Sequence, residues 1–421
     1  MLLIYLPLIF ALAGLALYTV LAGADFGAGM WQLTAGGGAD AQRIRNHAHE
    51  SMAPVWEANH VWLVFVLTVM WTAYPSAFGS IASTLSIPLF IAAIGIIFRG
   101  GTYALQSGTS TPREVRAVDT TFAISSVLTP FALGAAVGGI ASLRVPLGNA
   151  AGDLVTSWLN PTSILIGALA VAASAYLAAV YLSADAVRLG HPELVRAFRA
   201  RALVAGVLAG LIAVAGLVVL HSDAHRLYNR LVDGPGLPAL IVSIVAGAVA
   251  LGLVWRGRFE LARYAAAVAV AAIIAGWGLA QQPLVLVDLT IRQAAAPHDT
   301  LVVVVVAVLG GGVILFPSLG LLFALVLRGG FDPGQAGAGV ATAPAPAPKA
   351  VIASSAAGLS GRVAVACLIA GIGLLTVAEA GWAHAVGVVS LLAFVVAGFV
   401  VVRPAEVARE PDEDSSTRCG A

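Results

Sequence analysis

Long apolar runs separated by short polar segments set the pattern of this chain. Runs long enough to cross a bilayer as helices, about twenty residues each, fall near 4–25, 55–74, 78–98, 118–142, 161–184, 202–220, 237–255, 261–280, 300–327, 362–379 and 384–402. They predict an all-α polytopic membrane protein. No basic region precedes the first run and no small-residue cleavage pattern follows it, so it reads as a retained span. Residues 329–361 break the rhythm with Gly329-Gly330-Phe331-Asp332-Pro333-Gly334 and then, after Ala341-Thr342, alternating Ala-Pro from Ala343 to Pro348. Such a segment is a stiff, extended linker and cannot be a span. The expected organisation is therefore a membrane domain over 1–330, a linker over 331–360, a two-span hairpin over 361–403 and a disordered, mixed-charge tail over 404–421.

Composition sharpens this picture. With 60% hydrophobic residues, 10% charged and a mean hydropathy of +0.95, the chain lies far from soluble globular proteins, in which about a quarter of residues are charged. A net charge of +1 gives no footprint for nucleic acid. The two cysteines, Cys367 in an apolar run and Cys419 in the tail, suit neither a disulfide framework nor a metal cluster. If the N-terminus lies outside, eighteen of the 22 Lys and Arg fall in inner loops or the tail, against Arg144, Arg226, Arg230 and Arg292 outside. This bias predicts N-terminus out and C-terminus in.

Candidate chemistry is concentrated at one membrane depth. Glu57 and His60 stand three apart on a helix, with Trp56, Asn59 and Trp62 around them, at the start of the second span. Asp25 ends the first span within Gly23-Ala24-Asp25-Phe26-Gly27-Ala28-Gly29, and Arg99 closes the third. In the expected topology all four polar groups lie toward the inner end. Intramembrane ionisable groups are costly and mark sites or pathways; the plainer alternatives are a snorkelling Glu57 and a satisfied interior His60. Gly23, Gly27 and Gly29 admit either a close helix or water beside Asp25. Arg99 can meet Glu57, Asp25 or lipid phosphates, since positive-inside bias alone places arginines there.

The runs Gly23-Ala24-Asp25-Phe26-Gly27-Ala28-Gly29, Ala53-Pro54-Val55-Trp56-Glu57-Ala58-Asn59-His60-Val61-Trp62-Leu63, Trp71-Thr72-Ala73-Tyr74-Pro75 and Phe98-Arg99-Gly100-Gly101 together resemble subunit II of cytochrome bd quinol oxidase, including its cyanide-insensitive branch. Ser125-Ser126, Pro130, the Gly276–Gln281 segment and the Leu289–Pro297 segment extend the resemblance over roughly residues 1–330. Three positions depart from the family pattern. Ala22 stands where many relatives carry an acid, Glu57-Ala58-Asn59 where many have Asp-Gly-Asn, and His60 where the residue often cannot titrate. The resemblance implies nine family-like spans, arranged as two four-helix bundles and a peripheral helix. The two extra C-terminal spans lie outside it, as an accessory hairpin that packs on the oxidase or recruits a small subunit, or as lipid-facing ballast.

It further implies a heterodimer with a separate subunit I that carries two b-type haems and haem d, with quinol as substrate, in the bacterial inner (plasma) membrane. A small accessory membrane subunit and lipid are further expected partners. Asp25, Glu57 and His60 then become candidates for a proton path feeding oxygen reduction to water, with Gly23, Gly27, Gly29, Trp56, Asn59, Trp62 and Arg99 as structural or interface residues. A haem held by this chain alone is not expected. A membrane b-type haem takes two facing axial ligands, and the only deep histidine and methionine, His60 and Met70, sit ten residues and about 15 Å apart on one helix. A secondary transporter is the rival reading from another class, but it predicts an internal repeat, and neither the Trp-Glu-Ala-Asn-His block nor the Gly-Xaa-Asp-Xaa-Gly pattern recurs. A purely structural scaffold for the haem subunit is the other alternative.

Overall fold

The computed structural model describes residues 2–36, 38–106, 112–327, 359–377 and short pieces at 382–383, 386–390 and 393–394; the side chains of 52–58 and 103–117, among others, lie outside the described residues. Apart from one small β-hairpin, the regular elements are helices: α1 Leu2–Leu33, α2 Ala39–Ala73, α3 Pro75–Thr84, α4 Ser86–Gln106, α5 Pro112–Ala141, α6 Pro161–Arg188, α7 Pro192–Asp223, α8 His225–Val232, α9 Leu237–Trp255, α10 Phe259–Gln281, α11 Ile291–Ala294, α12 His298–Leu327 and α13 Leu359–Val377. Strands β1 Leu284–Leu286 and β2 Leu289–Thr290 pair antiparallel. The chain divides into two compact units, Met1–Phe323 and Ala324–Ala421. In the second, α13 overlaps the expected span at 362–379. The Ala-Pro linker and the tail lie outside the described residues.

Among the described residues seven helices are long and apolar enough to cross a membrane: α1, α5, α6, α7, α9, α10 and α12. Helices α3 and α4 make an eighth if taken as one broken span, and α2 contributes a shorter apolar stretch, Asn59–Ala73. α1 is the central element. It packs against α2, α5, α6 and α10, while α4 packs on α5, α6 on α7, and α9 on α10. The largest core is built mainly from small and aliphatic side chains of α1, α6, α7, α9 and α10, including Ala24, Ala28, Leu177, Ala178, Leu182 and Val254, with Phe198 among them. A second core, around Tyr74, Leu85, Val145, Leu286 and Ile291, closes the end of the first unit that carries the β-hairpin.

Two sequence expectations are revised here. The run 78–98, read as one span, is broken: α3 and α4 meet at 82°. Pro88 supplies the reason, because it has no N–H to give Thr84 and its ring clashes with that carbonyl, whereas the first turn of a new helix tolerates it. The last turns of α3 dock the following loop, as Ser80 and Ser83 hydroxyls accept from the Gly148 and Ala150 N–H groups. The first span also runs further than the expected 4–25. Asp25 consequently lies two turns inside α1 and not at its end.

Tyr74, fully buried, joins the α2–α3 corner to the start of α1. Its hydroxyl donates to Ile4 O at 2.6 Å and accepts from Leu8 N at 3.1 Å. It thus sits between the two groups that an undisturbed helix would pair directly. At the same end Arg144 Nη2 contacts Asp223 Oδ1 at 2.6 Å, and Asp223 Oδ2 accepts from the Thr162 hydroxyl and N–H. In the connecting loop, N–H donation from Thr156 and then Val155 holds the exposed Asp153 carboxyl below its ordinary range. That contribution is present above the ordinary carboxylate range and disappears as pH falls through the lowered value.

Candidate functional site

The glycines of the first motif let three helices approach α1 closely. A Cβ on Gly27 would stand 2.0 Å from Ser174 O, and one on Gly23 would stand 3.0 Å from Leu177 Cδ1, so both positions serve the α1–α6 contact. Gly29 faces another way: a Cβ there would lie 2.1 Å from Ser126 Oγ and 2.9 Å from Arg99 Nη1. One turn after Asp25, it clears the space that a buried guanidinium occupies.

Arg99 of α4 reaches across to α1 through this opening. Its Nε donates to Asp25 Oδ2 at 3.1 Å and its Nη2 to Asp25 Oδ1 at 2.6 Å, a two-pronged contact; Nη2 also meets the Asp25 carbonyl at 2.6 Å. Nη1 donates to the Ser126 hydroxyl of α5, which itself donates to Phe122 O. Phe122 and Phe26 cover the guanidinium, 4.2 and 5.0 Å from its central carbon to the ring centres. Arg99 and Asp25 are each 1% exposed. A forked guanidinium suits a planar carboxylate and aromatic faces as no ammonium does. Such geometry is required of a pair removed from water, because desolvation otherwise exceeds the attraction. The lipid-phosphate alternative for Arg99 does not hold, since its side chain is enclosed.

Around this pair the other expected residues are distributed unevenly. Phe65 and Val66 of α2 lie against Gly14, and Trp62 and Leu63 pack on Tyr18, Ala22 and Phe26. In this antiparallel arrangement the apolar part of α2, from Asn59 onward, runs alongside α1. Asn59 is 1% exposed and His60 is half-buried. Trp62 meets Phe65 edge-on at 6.1 Å. The side chains of Trp56 and Glu57 lie outside the described residues. Sequence reasoning gave no role to the aromatic cover of Phe26 and Phe122 or to the anchoring hydroxyl of Ser126. The spacing of Gly29 one turn after Asp25 was the available signal.

A buried ion pair inside a helical membrane unit defines the class: an integral membrane subunit with charge fixed at one depth. The model for the family described as cytochrome bd terminal oxidase subunit II matches residues 3–326, and the chain belongs to that family. It is thus a component of a haem-dependent oxidoreductase complex of the respiratory chain and pairs there with another oxidase subunit. A Bacillus subtilis (strain 168) protein described as a cytochrome bd menaquinol oxidase subunit II is 22% identical over 322 residues, 74% of this chain and 92% of that protein. A cytochrome bd ubiquinol oxidase subunit 2 from the same organism is 27% identical over 114 residues, 27% of this chain and 33% of the relative. The fold is similar to a chain in the structure of bd oxidase from Geobacillus thermodenitrificans, with a TM-score of 0.60 and 22% identity, covering 78% of this chain and 99% of that one.

Among the described residues no three His, Cys, Asp or Glu side chains gather as a metal-binding group. His47, buried, is engaged through Nε2 with Leu182 O. His60 and Met70 share α2, too far apart along one helix to face a single iron.

Removing one partner of the Asp25–Arg99 pair leaves an uncompensated buried charge. Asp25→Asn is expected to destabilise the subunit by roughly 3–5 kcal/mol, seen as a loss of assembled haem per total subunit. The double variant Asp25→Leu/Arg99→Leu should recover part of that assembly, because it removes both charges. Wild-type assembly of Asp25→Asn would show that the pair is not needed.

Proposed function

We propose that this chain is subunit II of a cytochrome bd-type quinol:oxygen oxidoreductase, that a partner subunit I holds the two b-type haems and haem d, and that residues at the Asp25 level carry protons toward the site of oxygen reduction. The two Bacillus relatives are described by menaquinol and by ubiquinol, which favours a quinol as the electron donor here. The observation that carries the reading is the capture of both Asp25 carboxylate oxygens by Arg99 in a site of 1% exposure.

That capture divides the labour among the acids. Asp25 supplies a fixed negative charge already balanced by a guanidinium, so it is poorly suited to give and take a proton in each turnover. Glu57, on the neighbouring helix, is the exchangeable acid of this reading, a carboxyl being able to give and take a proton at each turnover. His60, one turn along α2 from position 57, is the next titratable group on that helix. Reduction of oxygen to water consumes protons, and drawing them from inside while quinol oxidation releases them outside builds a membrane potential. In this reading the N-terminus lies outside and the Arg99 end faces the cytoplasm across the bacterial inner membrane. Residues 1–330 form the oxidase domain, 331–360 the linker, 361–403 an extra hairpin and 404–421 the tail. The hairpin is a place where a small accessory subunit or lipid would attach.

A fusion that replaces residues 341–421 with a reporter fluorescent only in the cytoplasm tests topology and organisation together. Fluorescence with retained quinol oxidase activity is expected. A dark fusion would overturn the orientation, and lost activity would make the last spans integral to the oxidase.

For the proton role, Glu57→Gln keeps size and hydrogen bonding but removes the titrating proton. Oxygen consumption per haem should fall roughly tenfold or more, with the haem complement intact, while Glu57→Asp retains most of the rate. Full turnover per haem in Glu57→Gln would leave the chain a scaffold.

A further inference from the structure

Two arginines at the end of the first unit that carries the β-hairpin bring more charge than the fold answers. Arg226 and Arg230 stand one turn apart on α8, so their side chains share a face of that helix. Both reach the end of α10: Arg226 Nη2 donates to Gln282 O at 3.2 Å, and Arg230 Nε donates to Ala280 O at 2.9 Å. Burial, and after it the neighbouring charge of Arg230, hold Arg226 below its ordinary range, a sign that the second guanidinium is close. Arg144 at the same end is met by Asp223 at 2.6 Å. Among the described residues no carboxylate lies within ion-pairing distance of Arg226 or Arg230.

Capping of α10 accounts for only part of this charge. Each arginine gives one of its five N–H donors to a carbonyl. A helix C-terminus sets about half a negative charge against the two positive ones, which leaves about one and a half units unbalanced. Both amino groups of Arg230, and Nε and Nη1 of Arg226, have no partner among the described residues. Arginines on the outer side run against the positive-inside bias, and in the orientation proposed above this like-charged pair sits where an anion would supply the missing charge. An apolar groove adjoins the pair. It has a volume of about 390 Å³ and is lined by Leu2, Tyr5, Leu8, Ile9 and Leu12 of α1 together with Gln282, the residue whose carbonyl takes Arg226. Leu2 and Ile9 on its wall are 70% and 52% exposed.

We propose that Arg226 and Arg230 bind the phosphate of an anionic phospholipid whose acyl chain lies in the groove along the start of α1. Guanidinium forks suit phosphate oxygens two at a time, and the unbalanced charge selects a headgroup of net negative charge over a zwitterionic one. Cations and groove meet at Gln282, as the head and tail of one lipid meet beside its phosphate. A free phosphate would fill the cationic half alone. Bound there, the lipid ties the first turns of α1 to α8 and to the end of α10. The site does not depend on the proton path; the orientation proposed above assigns its lipid to the outer leaflet.

The test uses the assembled oxidase, stripped of lipid in detergent and given back phosphatidylglycerol or phosphatidylcholine of the same chain length, with retention counted by native mass spectrometry. Wild type should retain phosphatidylglycerol about thirtyfold better than phosphatidylcholine, two cations at the membrane surface contributing about a factor of five each. In Arg226→Gln/Arg230→Gln, whose amides can still donate to the α10 carbonyls, one retained phosphatidylglycerol per complex should be lost. Ile9→Trp narrows the groove, leaves both arginines in place and should weaken retention severalfold. Equal retention of the two lipids by wild type, or undiminished retention in the double-glutamine variant, would overturn the proposal. Full displacement of the lipid by inorganic phosphate, with Ile9→Trp behaving as wild type, would make this a free-anion site and overturn the lipid assignment. A carboxylate of the partner subunit seated on both guanidiniums in the assembled complex would overturn it as well. If the double-glutamine variant does not assemble, the headgroup preference of wild type and the Ile9→Trp result decide.

Discussion

The contact on which the rest of this subunit depends is the salt link between Asp25 of α1 and Arg99 of α4, anchored to α5 through Ser126. Without water to solvate the guanidinium, every donor on it has to be met by protein, and the fold is arranged to do so. Gly29 removes the side chain that would block the approach, Ser126 meets Nη1, and two phenylalanine rings face the cation. Close charges attract strongly in a low-dielectric interior, but the attraction offsets desolvation only when geometry is good. The link therefore ties three helices together and tolerates little displacement of any of them.

Packing and function meet in the same motif. Gly23 and Gly27 bring α6 against one side of α1, Gly29 opens another to Arg99, and α2 lies along a third through Phe65, Trp62 and Leu63. Association of apolar helices in lipid has little hydrophobic drive, so close backbone approach and buried polar contacts carry more of the burden. A run of small residues around Asp25 is what lets a carboxylate sit at the crossing of several helices. The neighbouring α2 packs on the same helix through Trp62 and Leu63, against Tyr18, Ala22 and Phe26.

The apolar runs of the first unit were legible because a bilayer demands length and hydrophobicity. The cluster of Asp25 and Arg99 at one depth followed from topology. Other features were hidden for physical reasons. Residues 78–98 read as continuous because hydropathy does not register a bend, although Pro88 marked it. The polar half of α2, from Ala39 onward, shows no apolar run and so escaped notice. Whether Arg99 faced an acid or lipid was undecidable from charge bias, since both readings place an arginine at the inner end. Tyr74 bridging Ile4 and Leu8 joins residues about seventy positions apart, which no local pattern announces.

In the proposed proton path Asp25 keeps a paired charge with Arg99 while the acid that changes protonation lies at position 57. Redox-induced infrared difference spectroscopy of the assembled oxidase, with carboxyl-labelled glutamate or aspartate, tests this directly. The account predicts a protonated-carboxyl band that shifts with labelled glutamate and vanishes in Glu57→Gln, with no change assigned to Asp25. A band that shifts with labelled aspartate, survives Glu57→Gln and is lost in Asp25→Asn would contradict it.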